Sequence, residues 1–297
     1  MPNKHSRRSA IKSLVAGTAA LGTAAMLPSY SFGETKTQKQ SALKGNINHS
    51  VCQWTYSFLS LDELCKVVKQ IGFNAIDLLG PADWPTIQKY GIYSSMCYHG
   101  GKVSLTDGFN EKKYHDQLVK DYLDVLPLMV KAGYKDVICF SGSRRGMGDE
   151  TGLKNCVEGL QKILPVAEKN GITVHMELLN SKIDHKDYMC DRSAWGVELC
   201  KRLGSPNFKL LYDIYHMQID EGDVIRTIKE NVKYFGHYHT GGVPGRNEID
   251  QSQELFYPAI MKAIVETGYK GYVAQEFIPI AADKVASLKK AVEICDV

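Results

Sequence analysis

Four ionisable side chains follow apolar, strand-like runs at a regular spacing, and this spacing limits the possible folds more than any other feature. They are Glu177, Asp213, His239 and Glu276. The intervals are 213−177 = 36, 239−213 = 26 and 276−239 = 37 residues, close to the roughly 30 residues of one strand-plus-helix unit in a (β/α)₈ barrel. Such a barrel gathers its strand ends at one face, so the pattern predicts that these side chains bind one divalent metal ion.

Apolar β-rich runs alternate with helical patterns from Asn46 to the C-terminus. The predicted strands are His49–Thr55, Ala75–Leu79, Tyr93–Tyr98, Asp136–Phe140, Ile172–Leu178, Lys209–Ile214, Tyr234–Tyr238 and Tyr272–Phe277. The predicted helices are Ser60–Gly72, Pro81–Tyr90, Asn110–Ala132, Gly152–Asn170, Met189–Leu203, Asp223–Val232, Ser252–Thr267 and Ala282–Ile294. This alternation favours right-handed parallel crossovers in a protein of the α/β class.

Within that class, the sequence favours a closed barrel over an open, doubly wound sheet. No GxGxxG turn follows an early strand, as a dinucleotide-binding open sheet would require. We therefore predict one (β/α)₈ TIM-barrel catalytic domain over residues 46–297.

Charge and cysteine content exclude some classes of partner. The chain has 36 Lys and Arg against 33 Asp and Glu, without a clustered basic arm, so we predict no nucleic-acid partner. Eight cysteines are present, but none forms a CxxC pair. We interpret them mostly as small buried hydrophobic residues.

The N-terminus carries a pattern of its own. The arginine pair in Ser6–Lys12 (SRRSAIK) precedes the mildly apolar run Ser13–Leu27. This resembles a twin-arginine export signal, although Ala10 stands where the usual pattern has Phe; a frayed terminus with chance arginines is the alternative. We predict an export signal at 1–33, a polar linker at 34–45, a periplasmic location and no membrane segment in the mature form. The apolar run is short of the ~20 residues of a membrane span.

Three histidines near the predicted strand ends need separate interpretation. His237 and His239 alternate along one strand, so both side chains lie on the same face. His239 is nearer the carboxyl end and is the predicted ligand, whereas His237 is predicted to pack lower in the barrel. His216, three residues beyond Asp213, fits either a hydrogen-bonded core histidine or a substrate contact.

Further polar and aromatic residues stand near strand ends and are candidates for substrate binding. Arg246 and Glu248 lie in a glycine-containing loop after the seventh strand, where the alternative is a solvated loop. His99 and Trp54 follow earlier strands and are candidates for the pocket wall, as is Asn180, three residues after Glu177.

Four short stretches together resemble one protein family. They are MELLN around Glu177, YDIYHMQ from Tyr212, GHYH with PGRNE from Gly236, and QEFIP from Gln275. At these residues the chain resembles the xylose-isomerase-like TIM-barrel superfamily, and within it the hydroxypyruvate isomerase family most closely. The resemblance runs from about Asn46 to the C-terminus.

The resemblance implies roles for several of these residues. It implies that the four strand-end side chains hold a divalent ion, often Mg²⁺ or Mn²⁺, with Zn²⁺ or Co²⁺ as alternatives. It further implies that Glu177 and Glu276 act as an acid/base pair on opposite faces of the substrate, with His216 and Arg246 on its oxygens. His239 stands where hydroxypyruvate isomerases often have Gln, and so follows the ketose 3-epimerase pattern.

The ligand set independently suggests a chemistry. An α-hydroxy carbonyl compound can chelate a hard cation, which stabilises the enediolate left when the α-proton is removed. We therefore predict a metal-dependent isomerase or epimerase acting on a small sugar or hydroxy-keto acid. A metal-dependent hydrolase related to the endonucleases that cut at abasic sites and a non-catalytic carbohydrate-binding barrel are the alternatives. The sequence leaves open whether the protein forms a homo-oligomer.

Overall fold

Eight parallel strands form the centre of the protein in the computed structural model, which describes residues 42–101 and 105–297. The strands are β1 (Asn48–Val51), β2 (Ala75–Leu79), β3 (Tyr93–Cys97), β4 (Asp136–Cys139), β5 (Thr173–Glu177), β6 (Phe208–Asp213), β7 (Phe235–Thr240) and β8 (Tyr272–Gln275). The predicted export signal and linker residues 34–41 lie outside the described residues. Residues 42–297 group as one compact unit.

The strands are ordered as a nearly closed barrel, which confirms the predicted (β/α)₈ fold. Each strand from β2 to β8 pairs in parallel with the next, and β1 pairs with β8 through partners such as Asn48 and Tyr272. Between β1 and β2 the described backbone pairing is a single bridge from Cys52, the residue after β1, to Asp77. The pairing of β3 with β4 is similarly short, with Cys97 opposite Val137.

Ten α-helices occur in the described part of the chain. They are α1 (Leu61–Ile71), α2 (Trp84–Lys89), α3 (His115–Ala132), α4 (Asp149–Leu160), α5 (Leu164–Lys169), α6 (Ser193–Leu203), α7 (Ile214–Asp220), α8 (Val224–Asn231), α9 (Tyr257–Glu266) and α10 (Lys284–Cys295). In α1 the predicted signals are present: Ser60 and Glu63 form a capping box, and Gly72 ends the helix in the left-handed region. Across residues 42–101 and 105–297, no helix has both the length and the apolar character that a membrane span requires.

Several predicted boundaries are wrong, and three of the errors lie near prolines or polar caps. The single helix predicted over residues 152–170 is two helices, α4 and α5, with Pro165 in the first turn of the second. The helix predicted from Ser252 begins instead at Tyr257, followed by Pro258. A proline has no N–H to donate and is therefore favoured in the first turn of a helix. The short helix α7 was not predicted; the Asp213 carboxylate caps it by accepting from the His216 N–H.

Other predicted elements differ in where they begin or end. The helix predicted from Met189 begins at Ser193, and the preceding Met189 and Cys190 donate their N–H groups to Gly142 and Ser141. The first predicted strand ends at Val51, where the chain turns into a 3₁₀ helix, Gln53–Tyr56. The seventh strand is longer than predicted and reaches Thr240.

The two faces of the strands have different surroundings. Residues such as Val174, Met176 and Leu210 belong to the large core formed with the helices. On the opposite, alternating face, a small apolar cluster of Met96, Ile138 and Leu211 packs separately. All eight cysteines lie within the described ranges, and each is buried and outside any disulfide, as predicted. The inward face towards the carboxyl ends of the strands is polar and carries the candidate site.

Candidate metal centre

Consecutive strands β5 to β8 bring the four spaced side chains together. Glu177 and Asp213 are the last residues of their strands, His239 is the last but one of β7, and Glu276 directly follows β8. All four are fully buried. One ligand-type atom of each lies within 4.8 Å of those of the other three. The repeat of strand and helix therefore places them at one height on the inward face of the barrel.

His239 faces two of these carboxylates through one ring nitrogen. Its Nδ1 lies 2.8 Å from Glu276 Oε2 and 3.3 Å from Glu177 Oε1. The Arg246 guanidinium contacts the same Glu276 Oε2 and lies 3.3 Å from Asp213 Oδ2. The side chains of the cluster are thus within direct interaction distance of one another.

The donor set fits a divalent cation. It comprises three buried carboxylates and one imidazole, with a single guanidinium in contact. In their usual ionisation states the three carboxylates exceed the charge of that guanidinium, and burying uncompensated charge is costly. Oxygen-rich sites with one imidazole suit Mn²⁺ or Mg²⁺, and Zn²⁺ or Co²⁺ are compatible with the same ligands.

The electrostatics of the cluster show the same excess of negative charge. Burial raises the pKa of Asp213 to about 7, and the neighbouring Glu276 and Glu177 carboxylates add to this rise although Arg246 opposes it. The pKa of His239 lies well above its usual value: burial lowers it, but the surrounding groups, including Cys52 and Glu276, raise it more. Because a cation among these groups would favour the ionised carboxylates and the neutral imidazole, metal and protons compete for the site.

Arg246 is held against the cluster by an unusual loop conformation and by aromatic rings. Its backbone has a φ of 59°, in the left-handed region that non-glycine residues seldom adopt. Its guanidinium carbon lies 5.2 Å from the ring centroid of Trp54 and 5.4 Å from that of Tyr215. A Cβ at Gly241 would lie 3.2 Å from the Arg246 side chain, so glycine allows this close approach. Burial lowers the pKa of Arg246, but the nearby carboxylates raise it more, and the guanidinium stays charged.

Trp54 bonds to a carboxylate of the cluster, and Asn180 bonds to His216 beside it. Trp54, in the turn after β1, donates its Nε1–H to Glu276 Oε1 at 2.7 Å. Asn180 Oδ1 accepts from the N–H groups of Ile183 and Asp184, so its amide nitrogen faces His216 Nδ1 at 2.6 Å. Trp54 therefore orients a group of the cluster, and Asn180 orients His216.

The bond from Asn180 determines which His216 nitrogen carries the proton. Because Nδ1 accepts from the amide, a neutral His216 carries its proton on Nε2. That nitrogen lies 3.5 Å from Asp213 Oδ2. His216 is fully buried, and its N–H is directed towards the centre of the site.

Comparison with known proteins identifies the family. The family model for the xylose isomerase-like TIM barrel matches residues 65–294. The chain belongs to this family. The resemblance recognised from the four short stretches is therefore confirmed at family level.

Curated relatives in this family include isomerases and an epimerase. A 2-oxo-tetronate isomerase of Cupriavidus necator is 36% identical over 42% of this chain and 47% of its own length. A putative human hydroxypyruvate isomerase is 30% identical over 41% and 44%, respectively. A D-psicose 3-epimerase of Ruminiclostridium cellulolyticum is 26% identical over 70% and 75%. The chain thus spans slightly less than half the length of the first two relatives.

Solved structures share the same barrel. An AP endonuclease, family 2, from Brucella melitensis superposes with a TM-score of 0.71 at 22% identity, covering 82% of this chain and 96% of that one. A 3-keto-D-glucoside 4-epimerase from E. coli also gives a TM-score of 0.71, at 18% identity with 83% and 98% coverage. At these identities the likeness concerns the fold alone.

Two residues that the sequence predicted for the site, Glu248 and His99, are not brought to the cluster by the structure. Glu248 Oε1 accepts hydrogen bonds from the N–H groups of Ile280 and Ala281 and from the Ser287 hydroxyl, so it anchors the loop after β8. His99 accepts from the Gly101 N–H at 2.9 Å and packs against the rings of Tyr98 and Tyr122. Both residues therefore make contacts that stabilise the fold. A substrate contact for either remains a prediction.

Sequence analysis missed Asp77, which is fully buried in the middle of β2. Its Oδ2 lies 2.9 Å from Nε2 of His237 and 2.9 Å from Nε2 of His239. Burial raises the pKa of Asp77, but the two histidines lower it more, and it stays below its usual value. The signal was present in the run AIDLL, where a lone carboxylate among apolar residues needs a buried partner. His237 lies below His239, as the sequence predicted.

Proposed function

We propose that this protein is a divalent-metal-dependent isomerase or epimerase of a small sugar or hydroxy-keto acid. The observation that carries the proposal is the convergence of Glu177, Asp213, His239 and Glu276 within 4.8 Å in a fully buried site. Buried groups of this kind are rarely tolerated without a ligand or a catalytic role. A bound divalent ion would supply positive charge opposite the negative charge that develops on substrate oxygens when an α-proton is removed.

Two glutamates can exchange that proton with the substrate. The Glu177 carboxylate and the Glu276 carboxylate come from strands β5 and β8, so they reach the centre of the site from different sides of the barrel. One carboxylate takes the α-proton, which leaves an enediolate. In isomerisation either group returns the proton to the neighbouring carbon, while the hydroxyl proton moves from one of the two substrate oxygens to the other; in epimerisation the second carboxylate returns a proton to the same carbon from the opposite face.

Arg246 and His216 supply N–H donors for the substrate oxygens. The Arg246 guanidinium is charged and held between two aromatic rings, and the His216 Nε2–H is fixed by Asn180. Donors that are already oriented stabilise developing negative charge without reorganising during the reaction. Trp54 holds Glu276 Oε1 from outside the cluster, which leaves Oε2 facing its centre.

The relatives support this reaction class. Their names include 2-oxo-tetronate isomerase, hydroxypyruvate isomerase and D-psicose 3-epimerase. The presence of His239 rather than Gln in the ligand set favours the epimerase pattern within the class. Mn²⁺ or Mg²⁺ is the proposed ion because three of the four ligands are carboxylates.

The direct test is a screen of α-hydroxy carbonyl compounds in D₂O with Mn²⁺-loaded protein. We expect deuterium at the α-carbon of at least one ketose or 2-oxo acid, detected by NMR, and loss of this exchange in the Glu177→Gln, Glu276→Gln double variant. Glu158→Gln, at an exposed carboxylate paired with Lys112, serves as the matched control. Cleavage of abasic-site DNA without α-proton exchange would instead support the hydrolase.

We also propose export through the twin-arginine route, on the basis of Arg7 and Arg8. Replacing both by Lys is expected to abolish periplasmic accumulation while leaving folded protein in the cytosol. Fractionation of cells expressing the two forms measures this. Equal periplasmic amounts would reject the signal.

A further inference from the structure

Asp77 is directed into the barrel by an irregularity of β2. The pairing of β2 with β3 shifts register on both sides of Asp77, and the next residue, Leu78, has a φ of 62°. A bulge of this kind re-aims a side chain and is often found beside functional sites. Leucine in the left-handed region is strained, so the surrounding structure must compensate for it. The carboxylate that results is fully buried.

Every described contact of Asp77 comes from a group that can donate a hydrogen bond. Oδ1 accepts from the Ser95 hydroxyl, with Ser50 Oγ at 3.5 Å. Oδ2 lies 2.9 Å from Nε2 of both His237 and His239 and 3.9 Å from the Cys52 thiol. A carboxylate surrounded by donors acts as an acceptor, so it selects the protonated nitrogen of each ring.

For His239 this selection determines which nitrogen faces the cluster. A neutral imidazole carries one N–H and one lone pair. With its proton on Nε2, donated to Asp77, the lone pair is on Nδ1. That nitrogen points at the Glu177 and Glu276 carboxylates.

We propose that Asp77 is a positioning residue that holds His239 in the Nε2–H tautomer and in the orientation in which Nδ1 binds the cation. The inference rests on the metal centre proposed above. Carboxylate partners of metal-binding histidines fix the tautomer and raise the basicity of the ligand, and their loss typically weakens metal binding by roughly 10- to 100-fold. His237 donates to the same Oδ2 and helps to hold Asp77 in place.

The barrel contains a matched control pair. On β5, two residues before Glu177, His175 Nε2 lies 2.8 Å from Asp136 Oδ1. This is also a contact between a histidine on one strand and an aspartate on another, and neither residue belongs to the cluster. Asp136→Ala therefore removes a carboxylate with the same kind of histidine contact, although one more exposed than Asp77, without touching a ligand.

The test measures Mn²⁺ binding to the full chain by calorimetry, without substrate. We expect Asp77→Ala to weaken binding by roughly 10- to 100-fold, and Asp77→Asn to recover part of the loss because its carbonyl oxygen still accepts from Nε2–H. Asp136→Ala is expected to bind as the wild type does. The electron paramagnetic resonance spectrum of bound Mn²⁺ should change in Asp77→Ala at saturation and stay unchanged in Asp136→Ala, which separates ligand positioning from a general loss of stability.

The outcomes distinguish this inference from the proposed function. Wild-type affinity and an unchanged spectrum in both Asp77 variants would overturn the inference alone. If Asp77→Ala does not fold, Asp77→Asn decides: weaker Mn²⁺ binding with a changed spectrum supports the inference, and wild-type behaviour overturns it. Failure of the wild-type protein to bind Mn²⁺ would overturn both the metal centre and the role of Asp77. Metal binding without turnover of any substrate would reject the proposed reaction and leave the role of Asp77 standing.

Discussion

The two halves of the barrel contribute to the site in different ways. Strands β5 to β8 each supply one potential ligand at or near the carboxyl end. From the other half, Trp54 contacts Glu276 from outside and Asp77 contacts His239 from beneath. A closed barrel makes this division natural, because a strand far away in sequence still lies within one side chain's length across the interior. On the proposed function, one half carries the chemistry and the other half contacts the groups that perform it.

The largest expected effect is on turnover, when a proposed base in β5–β8 loses its charge. Glu177→Gln and Glu276→Gln keep a carbonyl oxygen for the metal but cannot accept the proton as a carboxylate does. We expect each to lower kcat by roughly 10²- to 10⁴-fold, the usual contribution of a general base, while retaining much of the bound metal. Steady-state assays with metal analysis measure this, and Glu158→Gln controls for the substitution. Normal turnover in one metal-loaded variant would make that glutamate a ligand only.

Removing the metal from the ligands of β5–β8 should lower the free energy of unfolding. If Mn²⁺ binds the folded state alone, adding it at 100 times its Kd raises the free energy of unfolding by about 2.7 kcal/mol. Urea unfolding with Mn²⁺ or with chelator measures the difference. Asp213→Asn should lose most of this increment, whereas Asp250→Asn, at a carboxylate that accepts from Ser252, should keep it. An equal increment in both variants would place the ion elsewhere.

In the other half of the barrel, His99 should make the free energy of unfolding depend on pH. Burial lowers the pKa of His99 to about 4, despite an opposing effect of Asp121, and its Nδ1 accepts from Gly101 only when unprotonated. An unfolded histidine titrates near 6.5, so the stabilisation is present above that pH and is lost as pH falls towards 4. Between pH 7.5 and 5 this corresponds to about 2 kcal/mol.

His99→Gln tests this pH effect. Urea unfolding of wild type and variant at both pH values gives the difference, which cancels contributions from other titrating groups. We expect the variant to lose about 2 kcal/mol less than the wild type on acidification. Parallel pH dependence of the two proteins would show that His99 titrates normally.

The smallest effect is predicted for Trp54, where the supporting half contacts a proposed base. Trp54→Phe removes the donor to Glu276 Oε1 and keeps an aromatic ring near Arg246. A typical hydrogen bond contributes about 1 kcal/mol, which predicts a roughly 5- to 10-fold lower kcat. Trp84→Phe is the control, because its Nε1–H donates to the Leu79 carbonyl away from the cluster. If kcat falls equally in both variants, the effect of Trp54→Phe is a general loss of stability and not a change at Glu276.

The sequence by itself determined the fold class and which strand ends carry the four spaced side chains. Both follow from short-range periodicity: alternation sets the face of a side chain, and the strand-plus-helix repeat sets its height in the barrel. Helix starts were predicted where the cap is local, as at Ser60. The prediction failed at Ser252, whose N–H and hydroxyl both bond to Asp250 Oδ1, and the helix begins at Tyr257.

Only the tertiary structure decided which groups meet across the barrel. The contact between Asp77 and His239 joins residues 162 positions apart and depends on the bulge in β2, which no local pattern predicts. The position of Arg246 depends on a left-handed backbone and on rings from the 3₁₀ helix after β1 and from α7. Glu248, two residues further on, bonds instead to the loop after β8. Periodicity fixes the face and height of a side chain, whereas its partner depends on strand tilt, register and loop conformation, which the packing of the whole barrel sets.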